Sequence, residues 1–219
     1  MQRSIKRSSS VALLILLSAA ISAQSGTRAE AFAAEGDKYF KAHDYPSAIA
    51  AYKKSIALDP SRGLTYYGLA LCYHQQEQWE LAVEAWKRAR SLLQPEAAMF
   101  MILGTDYFHL KRYDEALGQF RSAADLESNP KVLATIQYWI GVTYKERNQP
   151  DQAIAPLKEA IRLNPEDGDF YFELGTAYLA MNEQDDALQV YRDLQPIDDS
   201  KAQELHAEIL LHGQKTRQQ

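Results

Sequence analysis

Small and large apolar residues recur along this chain at a nearly constant distance. Five tyrosines are separated by 34, 34, 37 and 34 residues: Tyr39, Tyr73, Tyr107, Tyr144 and Tyr178. A glycine or alanine stands three residues before each tyrosine, and an alanine stands nine residues after it. A period of about 20–50 residues is typical of a stacked-repeat protein, in which each unit packs against the next.

The spacing within each period predicts helices. Apolar residues three and four positions apart lie on one face of an α-helix. Four residues after the alanine comes a large apolar residue: Tyr52, Trp86, Phe120, Leu157 or Tyr191. A proline, which cannot continue a helix, closes most units: Pro60, Pro95, Pro130 and Pro165. We therefore expect two helices per period, with the glycine or alanine of the first allowing close approach of the second.

This order of small, aromatic, alanine and aromatic positions resembles the tetratricopeptide repeat family, whose unit of about 34 residues is a helix–turn–helix. The resemblance covers residues 29–199 and implies an all-α, right-handed superhelical solenoid, expected to form one continuous domain. Its five repeats are expected at residues 29–62, 63–96, 97–130, 134–167 and 168–199. Three additional residues, Lys131 to Leu133, predict either a longer turn or a helix extended by one turn.

The chain begins differently from the repeats. Residues 1–23 combine a basic start (Arg3, Lys6, Arg7) with an apolar run of eleven residues and several alanines ending at Ala23. This arrangement predicts a secretory signal peptide cleaved after Ala23, and therefore an exported protein, periplasmic or secreted. An uncleaved signal anchor is the alternative, although the apolar run is short for a bilayer.

Three further segments complete the predicted organisation. Residues 24–28 are expected to form a short linker. Residues 200–213 predict an amphipathic helix that caps the exposed end of the stack, ending at Gly213. Residues 214–219 are expected to form a polar tail.

The charge of the chain bears on its partners. The formal net charge is −5, and removal of residues 1–23 leaves 21 Lys and Arg against 29 Asp and Glu, a net charge of −8. An acidic protein is a poor candidate for binding nucleic acid or anionic lipid. Membrane contact is expected only through an uncleaved N-terminal segment.

The sequence offers little that predicts chemistry. The only cysteine, Cys72, lies among apolar neighbours and is expected to be a buried, inert thiol. No two histidines have the i, i+4 spacing of a helical metal site, although His74 and His109 are expected near the ends of adjacent first helices. No phosphate-binding loop or nucleophile motif occurs. We therefore predict no catalytic residues, no cofactor and no metal.

The resemblance also implies where a ligand binds. In the resembled family the first helices line a groove that binds extended peptides or helices. The groove positions here are Asp37, Tyr67, Leu71, His74, Met101, Thr105, Tyr138, Val142, Phe172 and Thr176. They predict an apolar, aromatic groove with few charges, suited to an amphipathic helix or a hydrophobic peptide. The alternative is that Tyr67, Tyr138 and Phe172 only complete the packing between repeats.

The function that the resemblance implies is a non-catalytic protein–protein interaction scaffold of the cell envelope. Its partner is expected to be a protein or peptide, and weak self-association is a further alternative. A second hypothesis is a chaperone-like holder of exported hydrophobic segments in pilus, outer-membrane or secretion assembly. The two differ in selectivity, because a holder binds many unfolded segments weakly.

Overall fold

A computed structural model describes residues 24–216, and all regular structure over these residues is α-helical. The first helix, α1, is described over residues 24–41. The next five are α2 Tyr45–Leu58, α3 Gly63–Gln75, α4 Trp79–Leu92, α5 Ala97–His109 and α6 Tyr113–Leu126. The last five are α7 Pro130–Glu146, α8 Pro150–Leu163, α9 Gly168–Ala180, α10 Gln184–Leu194 and α11 Asp199–Thr216. The predicted signal peptide (1–23) and residues 217–219 lie outside the described residues.

Neighbouring helices pack in pairs, as the period predicts. α3 contacts α4, α5 contacts α6, α7 contacts α8, and α9 contacts α10. The second helix of a pair also contacts the first helix of the next, as α2 does with α3, α6 with α7 and α8 with α9. The final helix, α11, covers both α9 and α10. The predicted all-α architecture of helix–turn–helix repeats with a terminal helix is thus confirmed.

The helices group into two compact units, one ending at Gln94 and the other beginning at Pro95, where a single continuous solenoid was expected. The division falls at the link between α4 and α5. There Leu93 and Glu96 both have extended backbones, at φ −120° and −110°. Pro95 in this link cannot supply the N–H that a continuing helix needs.

In α1, α5 and α7 the small residue allows a close contact with the large residue of the paired second helix, whereas Gly175 of α9 meets Leu205 of α11. A Cβ added at Gly104 would lie 2.6 Å from Cε1 of Phe120, and one at Gly36 would lie 2.5 Å from Cε1 of Tyr52. Both distances are far inside van der Waals contact. The recurrent glycine therefore sets how closely two paired helices approach.

The turn within each repeat has one recurring geometry. Its central residue has a left-handed backbone, with φ between 56° and 63°, at His43, Glu77, Lys111, Asn148 and Asn182. The N–H of the next residue donates to the carbonyl of the recurrent tyrosine, as from Gln78 to Tyr73 at 2.9 Å and from Gln149 to Tyr144 at 2.9 Å. This is the Schellman ending of a helix, which satisfies carbonyls at the helix end.

Two segment boundaries differ from the sequence-based expectation, at residues 24–28 and at Gly213, and the structure decides between the two alternatives for Lys131 to Leu133. Residues 24–28 are helical and belong to α1, not to a linker, because the segment contains no proline and its single glycine, Gly26, costs a helix only about 1 kcal/mol. The additional residues Lys131 to Leu133 lie inside α7, which has 17 residues where α3, α5 and α9 each have 13. They therefore extend a helix by one turn.

The C-terminal helix passes through Gly213 and does not end there. α11 reaches Thr216, so the first part of the expected polar tail is helical. Gly213 is buried, and a Cβ at this position would lie 2.7 Å from Nε2 of Gln184. The glycine is therefore a close-contact position against α10 and not a helix cap.

Candidate functional site

In the first unit, the predicted groove positions lie on α1 and α3. Asp37 is exposed, and its carboxylate accepts a hydrogen bond from the hydroxyl of Tyr52 at 2.7 Å. Burial, and then this hydrogen bond, raise the pKa of Tyr52 far above its ordinary value. Asp37 and Ala33 also line a small cleft of about 100 Å³ beside the exposed side chain of Leu64.

The α3 positions of this unit carry aromatic contacts. Tyr67 packs edge-on against Trp86, with ring centroids 4.9 Å apart, and His74 packs against Trp79 at 5.5 Å. Tyr67, Leu71 and His74 are each half-buried. Each therefore contributes to packing and still presents part of its side chain to solvent.

In the second unit, the predicted groove positions lie on α5, α7 and α9, and α7 contacts both of the others. Met101 and Thr105 on α5 are half-buried, and the Thr105 hydroxyl donates to the carbonyl of Ile102 at 2.7 Å. Phe172 on α9 is also half-buried. Val142 differs from these, because only 8% of it is exposed and it offers little surface to a ligand.

Tyr138 on α7 is half-buried beside the next repeat. Its ring lies 5.3 Å from that of Phe170. Burial, with further contributions from Glu173, Asp169 and Asp167, raises the pKa of Tyr138 to about 12. The phenol is therefore protonated at neutral pH and available as a hydrogen-bond donor.

A charged pair between α7 and α9 was not predicted. Lys145 forms an ion pair with Glu173, with side chains only 22% and 18% exposed. The Lys145 ammonium also donates to the hydroxyl of Thr176, a predicted groove position, at 3.0 Å. The sequence carried one signal for it, since Lys145 follows Val142 by three residues and lies on the same helix face. The surface between α7 and α9 thus has an ionic centre beside Tyr138.

Over residues 24–216, no group of three or more histidine, cysteine, aspartate or glutamate side chains is arranged to hold a metal ion. The Cys72 thiol is buried, and burial raises its pKa to about 12. Within the same described part of the chain, no helix is both long and apolar enough to cross a bilayer.

Paired helices with half-buried aromatic side chains on successive first helices define a helical-repeat scaffold of the protein-binding class. A family model described as "Tetratricopeptide repeat" matches residues 75–131 and 140–202, and a second, "TPR repeat", matches residues 36–77. These matches cover more than half of the chain. The chain belongs to the tetratricopeptide repeat family.

Similar proteins agree with this assignment. Small glutamine-rich tetratricopeptide repeat-containing protein 2 of Mycosarcoma maydis is 30% identical over 106 residues, which cover 48% of this chain and 30% of that protein. A crystal structure of MamA superposes with a TM-score of 0.74 at 26% identity, covering 81% of this chain and 96% of that chain. The chain spans less than a third of the length of the first curated relatives that it matches.

A second solved structure shows likeness of fold alone. YrrB, described as a TPR protein with an unusual peptide-binding site, superposes with a TM-score of 0.71 at 22% identity, covering 81% of this chain and 90% of that chain.

Proposed function

We propose that this chain is a non-catalytic adaptor that binds a peptide or helix of a partner protein along the first helices of its repeats. The observation that carries the proposal is the surface of α7 and α9. There Tyr138 and Phe172 are half-buried beside the Lys145–Glu173 pair. Aromatic rings provide large contact area at low conformational cost, and a central ionic pair supplies both a donor and an acceptor.

The ionic centre favours a partner segment that is apolar and also presents its backbone. Peptide N–H and C=O groups can bond to Glu173 and Lys145, while apolar side chains contact Tyr138 and Phe172. A purely hydrophobic ligand would desolvate two charges without replacing their water. The groove therefore selects an extended peptide segment, or the end of a helix, where backbone groups lack intrahelical partners.

The first prediction tests this surface by affinity capture, with residues 24–219 as bait. Replacement of Tyr67, Tyr138 and Phe172 by alanine is expected to reduce retention of the partner at least about tenfold, since several aromatic contacts are lost together. A second groove variant, Thr105→Arg, is also used as bait. It adds bulk and charge to the groove and keeps the aromatic packing. The control, Leu92→Ala with Leu126→Ala, removes exposed apolar surface from the second helices α4 and α6.

The readout is quantitative mass spectrometry of the retained proteins, with circular dichroism to check that each bait is folded. Loss of the same protein from both groove baits, with retention by the control bait, is the expected result. Equal capture by all four baits would mean that the first helices are not the binding surface.

The chaperone-like alternative has one observation in its favour. Several large apolar side chains are exposed, above all Leu64 at 75%. A holder of hydrophobic segments would retain many unfolded proteins, and their binding would respond little to Thr105→Arg. One stoichiometric partner in the same capture experiment favours the adaptor.

We further propose that the adaptor acts outside the cytoplasm, on the basis of residues 1–23. The prediction is that the full-length chain, expressed in a bacterial host with a C-terminal tag, loses these residues and begins at Gln24. N-terminal sequencing of the fractionated protein measures this directly. Substitution of Ala23 by arginine is expected to leave the segment attached, because the cleavage site requires a small residue. An intact N-terminus in the cytoplasmic fraction would contradict export.

A further inference from the structure

A second candidate site lies in the second unit, between α8, α9 and α10. These helices enclose a cleft of about 320 Å³. Its apolar lining comes from Ile161, Leu174 and Val190, and two aromatic side chains, Tyr171 and Tyr178, also line it. Its polar lining consists of Lys158, Asp186, Gln189 and Asp193. Its volume is at the lower end of the range of about 300–1,000 Å³ that is usual for ligand sites.

The cleft is separate from the surface proposed above. On α9, Phe172 and Thr176 point to one side of the helix, whereas Tyr171, Leu174 and Tyr178 lie near the opposite side, because successive residues are rotated by about 100°. A ligand in the cleft therefore does not compete for the groove positions of α9.

One side of the cleft is occupied by a contact that the repeats share. The Lys158 ammonium lies 5.5 Å from the ring centroid of Tyr178. The same cation–tyrosine contact joins Lys53 to Tyr73 at 5.6 Å in the first unit. It also joins Arg121 to Tyr144 at 6.0 Å in the second. Because this contact recurs, we regard the Lys158–Tyr178 pair as part of the scaffold.

Tyr171 is different, because it has no such partner. Its ring is half-buried, its hydroxyl donates to the carbonyl of Pro165 at 3.2 Å, and no cation lies over its face among the described residues. An aromatic ring also stands at the corresponding position of the first three repeats, as Phe32, Tyr66 and Phe100, whereas the fourth has Gln137. Lys54 lies over Phe32 at 5.4 Å and Arg88 over Tyr66 at 5.9 Å, but the position of that cation in the last repeat holds Asp193. The ring of Tyr171 is therefore a recurring one whose own cation has been replaced by a carboxylate.

Two carboxylates stand beside this ring on α10. Asp186 and Asp193 are both exposed, and Asp193 accepts a hydrogen bond from Gln189 at 2.9 Å. They are seven residues apart, which is about 10 Å along a helix axis. Lys158 is the one basic residue of the lining, and Arg192 donates a hydrogen bond to the lining residue Gln189 at 3.3 Å. The position of Asp186 is occupied by the neutral Gln152 in the preceding repeat.

We propose that this cleft binds a basic side chain, arginine or lysine, of a partner protein. The aliphatic stem of such a side chain would lie on Ile161, Leu174 and Val190, as long basic side chains commonly cover apolar surface. Its charged head would meet the face of Tyr171 and the carboxylate of Asp193, while Asp186, about 10 Å away along the helix, adds negative potential to the cleft. An acidic segment would be repelled by the two carboxylates.

The test uses the full-length chain and two short fluorescent peptides that differ in one group. The first is an acetylated, amidated Gly-Leu-Arg-Leu-Gly, and the second carries citrulline, a neutral isostere, in place of arginine. Fluorescence polarisation is expected to show about fivefold tighter binding of the arginine peptide, since each exposed carboxylate contributes modestly. Raising the salt concentration is expected to reduce this difference.

Substitutions then test whether the arginine peptide binds in the cleft. D186N with D193N is expected to abolish the preference for arginine, and Tyr171→Leu to reduce affinity about threefold, since it removes the ring but keeps an apolar side chain. The matched control is D151N with D185N, which removes two exposed carboxylates from the same helices outside the cleft. Thr105→Arg, in the groove, is expected to change nothing.

Three results would overturn the proposal: no binding of the arginine peptide, equal affinity for both peptides, or equal loss in the two asparagine double variants. Because the groove variant is measured in parallel, failure of the cleft is distinguishable from failure of the groove.

Discussion

Phe120→Ala is expected to lower the free energy of unfolding by about 3–5 kcal/mol, as removal of a buried phenylalanine usually does. The side chain is fully buried, and its ring stacks against Trp139 of the next repeat at 6.1 Å between centroids. It also fills the space left by Gly104, where a Cβ would lie 2.6 Å from it. The substitution therefore loosens both the α5–α6 pair and its contact with α7.

Urea unfolding followed by circular dichroism measures this effect. The control is Leu126→Ala on the same helix, where the side chain is 55% exposed and a change below about 0.5 kcal/mol is expected. A decrease in the free energy of unfolding below about 1 kcal/mol for Phe120→Ala would mean that Phe120 does not stabilise the contacts of α6 with α5 and α7. Because the repeats contact only their neighbours, a broadened transition for Phe120→Ala is also expected.

The number and pairing of the helices could be predicted from the sequence because they depend on the period of apolar residues. The period did not predict the backbone conformation of the turns. Glu77 and Lys111 adopt left-handed turns, yet neither residue type indicates such a backbone. His43, Asn148 and Asn182 belong to residue types that are enriched in this conformation. The five turns are fixed instead by hydrogen bonds to the recurrent tyrosine carbonyls.

Segment ends were harder to predict, because they depend on tertiary neighbours. A glycine near the end of an amphipathic pattern usually marks a helix C-terminus. Gly213 is instead a contact point for Gln184, which only the packing of α10 against α11 reveals. Likewise, Lys131 to Leu133 suit a turn or a helix equally well, and the structure extends α7 through them.

The aromatic positions of the candidate groove could be predicted from helical spacing, whereas its charged residues could not. The pairing of Lys145 with Glu173 was not predicted, because the two residues lie on different helices and are 28 residues apart in sequence. The cation–tyrosine contacts were missed for a different reason. A basic residue follows every large residue of the second helices, at Lys53, Lys87, Arg121, Lys158 and Arg192. These basic residues recur visibly in the sequence, but the tyrosines that Lys53, Arg121 and Lys158 contact lie in the following repeat.

Lys145→Met is the substitution expected to have the next largest effect on stability, at about 2 kcal/mol. It removes the ammonium that pairs with Glu173 and bonds to Thr176, while the Glu173 carboxylate stays largely shielded from water. Breaking one side of a shielded ion pair costs more than the pair contributes, because the remaining charge is left without its partner. Replacing both residues, with Lys145→Met and Glu173→Gln, is therefore expected to recover part of the loss.

A double-mutant cycle measured by urea unfolding isolates this coupling. The comparison cycle uses Arg162→Met and Glu159→Gln, a pair with side chains 67% and 38% exposed, where solvent screening is expected to leave little coupling. If the Lys145–Glu173 coupling were as small as this, the pair would not stabilise the contact between α7 and α9. A shielded ion pair that does not stabilise the fold would then be expected to act in binding. In that case the affinity for the partner would differ among the same four proteins. A large coupling instead means that the ionic centre is rigid before a ligand arrives, so its donor and acceptor are already oriented for a peptide backbone.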